Sequence, residues 1–263
     1  MDALASALGA PWLILAMLLS VRVATMLLLT PVLYAVSMPV TVRVAIILGL
    51  SFVIAVPFAS AAPALPADPG ALAQAVLREA AVGSTLGLGI LMAFAGFAVA
   101  GRLVDLQVGF GLAQVFDPLT RTRAPVLSAV FGLFAAVFFF VADGHHALVR
   151  GVAYSVERFP VGAEWAGAAA AEPLALQAAA LFTLGFALAA PVVLALLLVE
   201  FALGVVSRNL PQMNMIIMGI PVKIVVGLLA LSVWATGFGA PAGRLYAQIG
   251  KSWTSWFAQA GAR

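Results

Sequence analysis

Apolar and polar positions along this chain segregate into long blocks. Charge-poor apolar runs cover Pro11–Thr30, Val44–Ala62, Ala80–Ala100, Val126–Ala142, Pro173–Val199 and Ile224–Ala240. About 20 apolar residues in helical form cross the hydrocarbon of a bilayer. Backbone groups in lipid must be satisfied within the segment, so each run predicts a helix. Proline and glycine punctuate the runs: Pro31 and Pro39, Pro57 and the PALPADPG turn ending at Gly70, then Pro118, Pro125, Pro160, Pro211 and Pro221. No linker divides the chain, which predicts a single all-α domain over residues 1–263. From Pro241 to Arg263, Trp253, Trp256 and Phe257 lie beside Lys251 and Arg263. That pattern predicts a short interfacial helix with its rings at the headgroup level.

Composition sharpens the picture. The chain is 64% hydrophobic and 9% charged, whereas a soluble domain carries about 25% charged residues. Most of the outside must therefore face lipid or another protein. A signal peptide alone does not account for this, because apolar runs recur along the whole chain and the first lacks a basic lead-in. With no cysteine, disulfides, thiolate metal sites and cysteine nucleophiles are excluded. The formal charge of +3 is spread thinly, and no Lys/Arg run points to nucleic acid.

Charge placement gives an unusual result. With six alternating spans, one side receives Arg43, Arg102, Arg121, Arg123, Arg208 and Lys223, and the other Arg78, Arg150, Arg158, Arg244, Lys251 and Arg263. A simply inserted protein shows a clear excess of Lys and Arg on one side. Either the true spans differ slightly from these runs, or the chain is not built from simple alternating spans.

Several polar residues sit in expensive places. Arg22 lies mid-run in LSVRVATMLLL, Glu200 and Arg208 flank FALGVVS, and Lys223 opens the last long run. Ionised groups at membrane depth normally face protein or water. Glu200 and Arg208 are about two helical turns apart, so they share a face without touching. They suit either a midplane site of a secondary transporter or buried pairs against neighbouring subunits. No second acidic residue in that segment builds a relay, and no internal repeat of the kind transporters use is visible. Asp143, His145 and His146 invite a metal reading, but adjacent helical residues diverge by about 100°, which predicts a polar cap and no metal. No Ser/His/Asp arrangement, nucleotide-binding motif or phosphate loop is present, so neither an enzyme nor a cofactor is expected. Gly83 and Gly87, then Gly89, Ala93 and Gly96, with Gly185 and Ala189 later, have the small-residue spacing that lets helices approach closely in lipid.

Several stretches in order, VRVATMLLLTPVLYAVSMPVTVRVAIILGLS, GLGILMAFAGFAVAGRLVDLQVGFGLAQVFDP, APVL, DGHHALV, RFPVG, LALLLVEFALGVVSRNLPQMN and MGIPVKIVVGLL, resemble the FliR family of flagellar type III export gate proteins. That family is related to the SctT family of injectisomes. The likeness runs from about Trp12 to Leu229, and GFGLAQVFDP with SRNLPQMN is its most specific part. The resemblance implies membrane-associated helical hairpins forming one subunit of a ring-like export gate. It also implies a FliP-like part over 1–205 and a FliQ-like part over 206–263. The partners it implies are FliP-type and FliQ-type gate subunits, an FlhB-type switch protein, an FlhA-type export component, unfolded export substrates and membrane lipids. The implied location is the bacterial inner membrane, within the flagellar basal body export apparatus. By similarity, the loop after the third long helix plugs the central channel. Here the plug comprises Gly109, Phe110, Gly111, Leu112, Ala113, Gln114, Val115, Phe116, Asp117 and Pro118. Phe110, Leu112, Val115 and Phe116 supply apolar bulk, and hydrophobic constrictions block ions by dewetting. The alternative is an amphipathic loop lying on the membrane. Arg22, Glu200, Arg208, Gln212 and Lys223 are the candidate buried charged or polar contacts. Met213, Met215 and Met218 follow the same motif and suit plain helix packing.

Overall fold

A computed structural model of the chain describes residues 10–32, 38–61, 68–110, 126–164, 167–210 and 215–261. Among the described residues the secondary structure is helical, with no strand. The helices are α1 (Ala10–Leu28), α2 (Val40–Ala55), α3 (Pro69–Val108), α4 (Val126–Val141), α5 (Gly144–Arg158), α6 (Gly167–Asn209), α7 (Met215–Ala235) and α8 (Gly239–Gly261). A short 3-10 helix over Val56–Ala61 follows α2.

The predicted runs lie inside helices that extend well beyond some of them. The run Ala80–Ala100 is the middle of a 40-residue helix, and Pro173–Val199 lies within one of 43 residues. The runs mark where charge is scarce, and a helix does not end where charge begins. Arg78 and Arg102 are carried on α3, and Asp105 is satisfied there by bonds described below. Pro221 was expected to be a break, yet α7 runs through it. Apolar neighbours hold a helix through a proline when the freed carbonyl is otherwise satisfied. Among the described residues, five helices are long and apolar enough to cross a membrane, or six if α4 and α5 form one broken span.

The chain forms two compact units. Unit 1 comprises residues 1–92, 143–178 and 248–263, and unit 2 comprises 93–142 and 179–247. In unit 1, α1 contributes Leu15, Leu19, Val23 and Met26 to the core, a spacing of three and four that puts them on one face. Val82, Leu86 and Ile90 of α3 and Leu148, Val152 and Val156 of α5 repeat every four residues and are buried in the same unit. Contact between α1 and α3 is close: a Cβ at Gly83 would collide with Thr25 Oγ1 and the Arg22 carbonyl, and one at Gly87 would lie 2.9 Å from the Met26 carbonyl oxygen. The small-residue spacing read from sequence is thus used inside the chain.

The last helix departs from expectation. Trp253, Trp256 and Phe257 are 7%, 2% and 3% exposed, so the rings fill the core of unit 1 and do not lie at a headgroup layer. Trp253 Nε1 donates to the Leu86 carbonyl at 3.3 Å, and Trp256 stacks on Phe159 at 4.9 Å between ring centres. A Cβ on Gly151 would collide with the Trp253 ring, so only glycine leaves room for it there. An aromatic face beside basic residues is common to interfacial helices and to helices docked on protein, and here the docking partners were out of sight in the sequence.

Unit 2 is built around aromatic packing. Phe97, Phe131, Phe134, Phe138, Trp234 and Phe238 interlock with ring centres 4.7 to 6.0 Å apart. The Tyr246 hydroxyl donates to the Ala135 carbonyl within this cluster. Gly96 and Gly185 bring α3 and α6 together, where a Cβ on Gly185 would lie 2.8 Å from the Gly96 carbonyl oxygen.

Candidate functional site

The stretch expected to act as a plug begins where α3 ends. Val108 is the last residue of α3, and Gly109 has φ of +98°, a conformation that glycine adopts without strain. The Gly109 amide still donates to the Asp105 carbonyl at 3.2 Å. Gly111, Leu112, Ala113, Gln114, Val115, Phe116, Asp117 and Pro118 lie outside the described residues, and the chain is described again from Val126.

Asp105 joins the two flanks of that stretch. Its carboxylate, 2% exposed, accepts the Leu127 amide at 2.9 Å and the Ser128 amide at 2.8 Å. The first turn of a helix has amides with no partner inside the helix, and its dipole favours an anion. A residue on the last turns of α3 therefore caps α4. Gly101 makes the approach possible, since a Cβ there would lie 2.6 Å from Ser128 Cα. Sequence reasoning missed Asp105. The available signal was an acidic residue at the end of an apolar helix, just before Gln107 to Pro125.

A second cluster adjoins this root. Lys223 Nζ donates to Glu200 Oε1 at 2.8 Å, and Gln107 Nε2 donates to Glu200 Oε2 at 3.2 Å. Glu200 and Lys223 line a cleft of about 430 Å³ together with Gly109, Gly204 and Gly219. Glu200 and Lys223, 23 residues apart, are thus brought together, while Arg208 is exposed on the same helix as Glu200. The Glu200 side chain is 54% exposed within this chain, so any deeper burial of Glu200 or Arg208 has to come from outside it. Gln212 lies outside the described residues.

Arg22, by contrast, is fully buried. Its Nε donates to Glu79 Oε2 at 2.6 Å and its Nη2 to Glu79 Oε1 at 3.1 Å, a fork-on-carboxylate pair. The guanidinium also donates to Ser155 Oγ at 3.1 Å and to the Phe159 carbonyl at 3.0 Å. Glu79 Oε1 accepts the Gly162 amide at 2.9 Å, and Gly162 has φ of +85°. One ion pair therefore links α1, α3, α5 and the turn after α5. It occupies the place of a possible charge carrier, yet every contact is structural.

A profile described as "Bacterial export proteins, family 1" matches residues 13–249. The chain belongs to this family. Among its relatives, the flagellar biosynthetic protein FliR of Bacillus subtilis (strain 168) is 36% identical over 159 residues, 59% of this chain and 61% of that protein. FliR of Pectobacterium carotovorum is 31% identical over 60% of each chain. FliR of Escherichia coli K12 is 29% identical over 213 residues, 79% of this chain and 78% of its own length. This chain thus spans about three fifths of the first two relatives it matches. The resemblance to the FliR family read from GFGLAQVFDP and SRNLPQMN is borne out, as is the all-α membrane class. The match takes in Arg22, Glu79, Asp105, Glu200 and Lys223.

Proposed function

We propose that this FliR-family chain is a wall and gating subunit of the flagellar protein-export channel, with the stretch from Gly109 to Pro118 as a movable stopper in its lumen. The observation that carries the reading is the Asp105 brace. A stopper needs a fixed root, and Asp105 holds the two flanks of the stretch, Gly109 through its carbonyl and Leu127 and Ser128 through its carboxylate, at one place in unit 2.

Helix length supports the placement in a larger assembly. At 1.5 Å per residue, α3 and α6 rise about 60 Å or more, roughly twice the hydrocarbon thickness. Helices of that length extend past the lipid, which fits hairpins in a ring better than separate alternating spans and accounts for the tie in basic residues. The broad apolar exposure of α2 and α7, for example Val40, Val53, Val225 and Val233, gives faces for sister subunits and lipid. In this reading the partners are FliP-type and FliQ-type subunits in the inner membrane. The chain supplies a FliP-like part over 1–205 and a FliQ-like part over 206–263, and FlhB-type and FlhA-type components act on the same gate. The substrates are unfolded export proteins. Glu200, bonded to Lys223 and Gln107, serves as a strut beside the stopper's root and not as a carrier.

Deleting Gly109 to Phe116 tests the proposal. The complex is expected to assemble and the membrane to become permeable to small ions. An assembled complex with unchanged ion permeability would refute the stopper.

A further inference from the structure

Among the described residues, three side chains of metal-ligating type form a cluster that the export reading leaves unused. We propose that Asp143, His145 and His146 bind one transition-metal dication of the zinc class. This site stands on observations separate from the proposed gating role.

One ligand atom from each of the three residues lies within 4.8 Å of the others. Zinc takes nitrogen and carboxylate oxygen at about 2.0–2.2 Å in tetrahedral array, which sets its ligands roughly 3.3 Å apart. Asp143 Oδ1 and His146 Nδ1 are already 3.2 Å apart. Adjacent helical side chains normally diverge, and that was the reason for expecting a cap. The structure overturns the reason: the two imidazole rings lie 4.1 Å apart between centres, tilted by 37°. His145 and His146 are in the first turn of α5, which Gly144 opens after Asp143 with φ of +54°.

Asp143 itself gives a second, independent indication. It occupies the N-cap position of α5, where an aspartate ordinarily accepts an amide of the first turn. Its side chain makes no such bond and turns to His146. The expected cap is thus given up for a carboxylate facing an imidazole. Asp143 and His146 are 74% and 63% exposed, so an ion enters from water and water completes its coordination. The helix dipole opposes a cation at this end and lowers affinity roughly two- to fivefold, an effect the Asp143 charge offsets.

The sequence makes the test clean. These are the only two histidines, and there is no cysteine, so imidazole ligation in this chain reports this site alone. The full chain, in its native complex and carrying a purification tag without histidine, is titrated with Co²⁺ and then with Zn²⁺. The expected result is saturable visible absorption at one Co²⁺ per copy, abolished by Zn²⁺. His145→Gln, His146→Gln and Asp143→Asn should each weaken Co²⁺ binding by at least the roughly 10–100-fold that loss of a supporting partner alone costs. Absence of a saturable signal in the unaltered protein overturns the site, as does binding by all three variants equal to it. Should a variant fail to assemble, histidine modification by diethyl pyrocarbonate in the unaltered protein decides. Zn²⁺ should protect both rings, and equal modification with and without Zn²⁺ overturns the proposal.

Discussion

Removing the charge from either member of the Arg22–Glu79 pair should damage the protein severely, and removing both should cost less than the two single losses together. The two side chains are each 1% exposed and make a two-point contact, with Ser155, the Phe159 carbonyl and the Gly162 amide completing their bonds. Arg22→Met leaves a buried carboxylate without its counter-ion, and Glu79→Gln leaves a buried guanidinium in the same state. Breaking such a pair from one side costs about 3–5 kcal/mol. For a chain of this size each kcal/mol corresponds to about 2–4 °C in melting temperature, so each single variant should melt roughly 6–20 °C lower. The double variant carries no buried charge at this site, and the amide oxygen that Glu79→Gln introduces can still accept the Gly162 amide. Its loss should fall short of the sum of the single losses by at least about 1 kcal/mol. Thermal unfolding of the purified complex in mild detergent, followed by loss of the monodisperse chromatographic peak, measures all three. Single variants within a few degrees of the parent, or strictly additive losses, would refute the reasoning.

Asp105→Ala removes two charge-assisted bonds to the start of α4, each worth about 1.5–3 kcal/mol. The variant should melt lower and, if the stopper proposal is right, should leak ions, while Asp105→Asn should lose less of both. Gly83→Val drives a branched side chain into the Arg22 carbonyl and Thr25, and overpacking of this kind costs typically about 1–3 kcal/mol, so reduced yield of folded protein is the measurement. Tyr246 lies in α8, outside the candidate spans, and burial raises its phenol above the ordinary value of 10.0. The folded state then holds its proton where the unfolded state has released it. Stability from this group is complete below pH 10 and declines as pH rises above it, and Tyr246→Phe should flatten that decline in an alkaline melting series.

Much of the fold was legible because lipid imposes a simple rule: long charge-free segments must be helices. The family was legible too, because GFGLAQVFDP and SRNLPQMN keep their order and spacing. What stayed hidden were partnerships across long sequence separations. Arg22 stood out as costly, but Glu79 lies 57 residues away and nothing periodic connects them. Asp105 reads as an ordinary charge at a helix end until Leu127 and Ser128 are seen against it. Trp253 and Trp256 were misplaced for the same reason, since their amphipathic pattern fits a membrane surface as well as a protein groove. The closeness of the two imidazole rings was also hidden, because ideal helix geometry sets adjacent side chains about 100° apart.

The make-up of unit 1 also bears on when the protein can finish folding. Its core takes Leu15 and Leu19 from the first described helix and Trp253, Trp256 and Phe257 from the last. A ribosome delivers Leu19 and Trp253 more than 200 residues apart in the order of synthesis. Until Trp253 has emerged, the pocket around Gly151 and Leu86 stands without its indole. A nascent chain is therefore left with an unsealed apolar cavity from the completion of α5 until Trp253 emerges, and a product stopped short of Trp253 is an obvious substrate for membrane quality-control proteases.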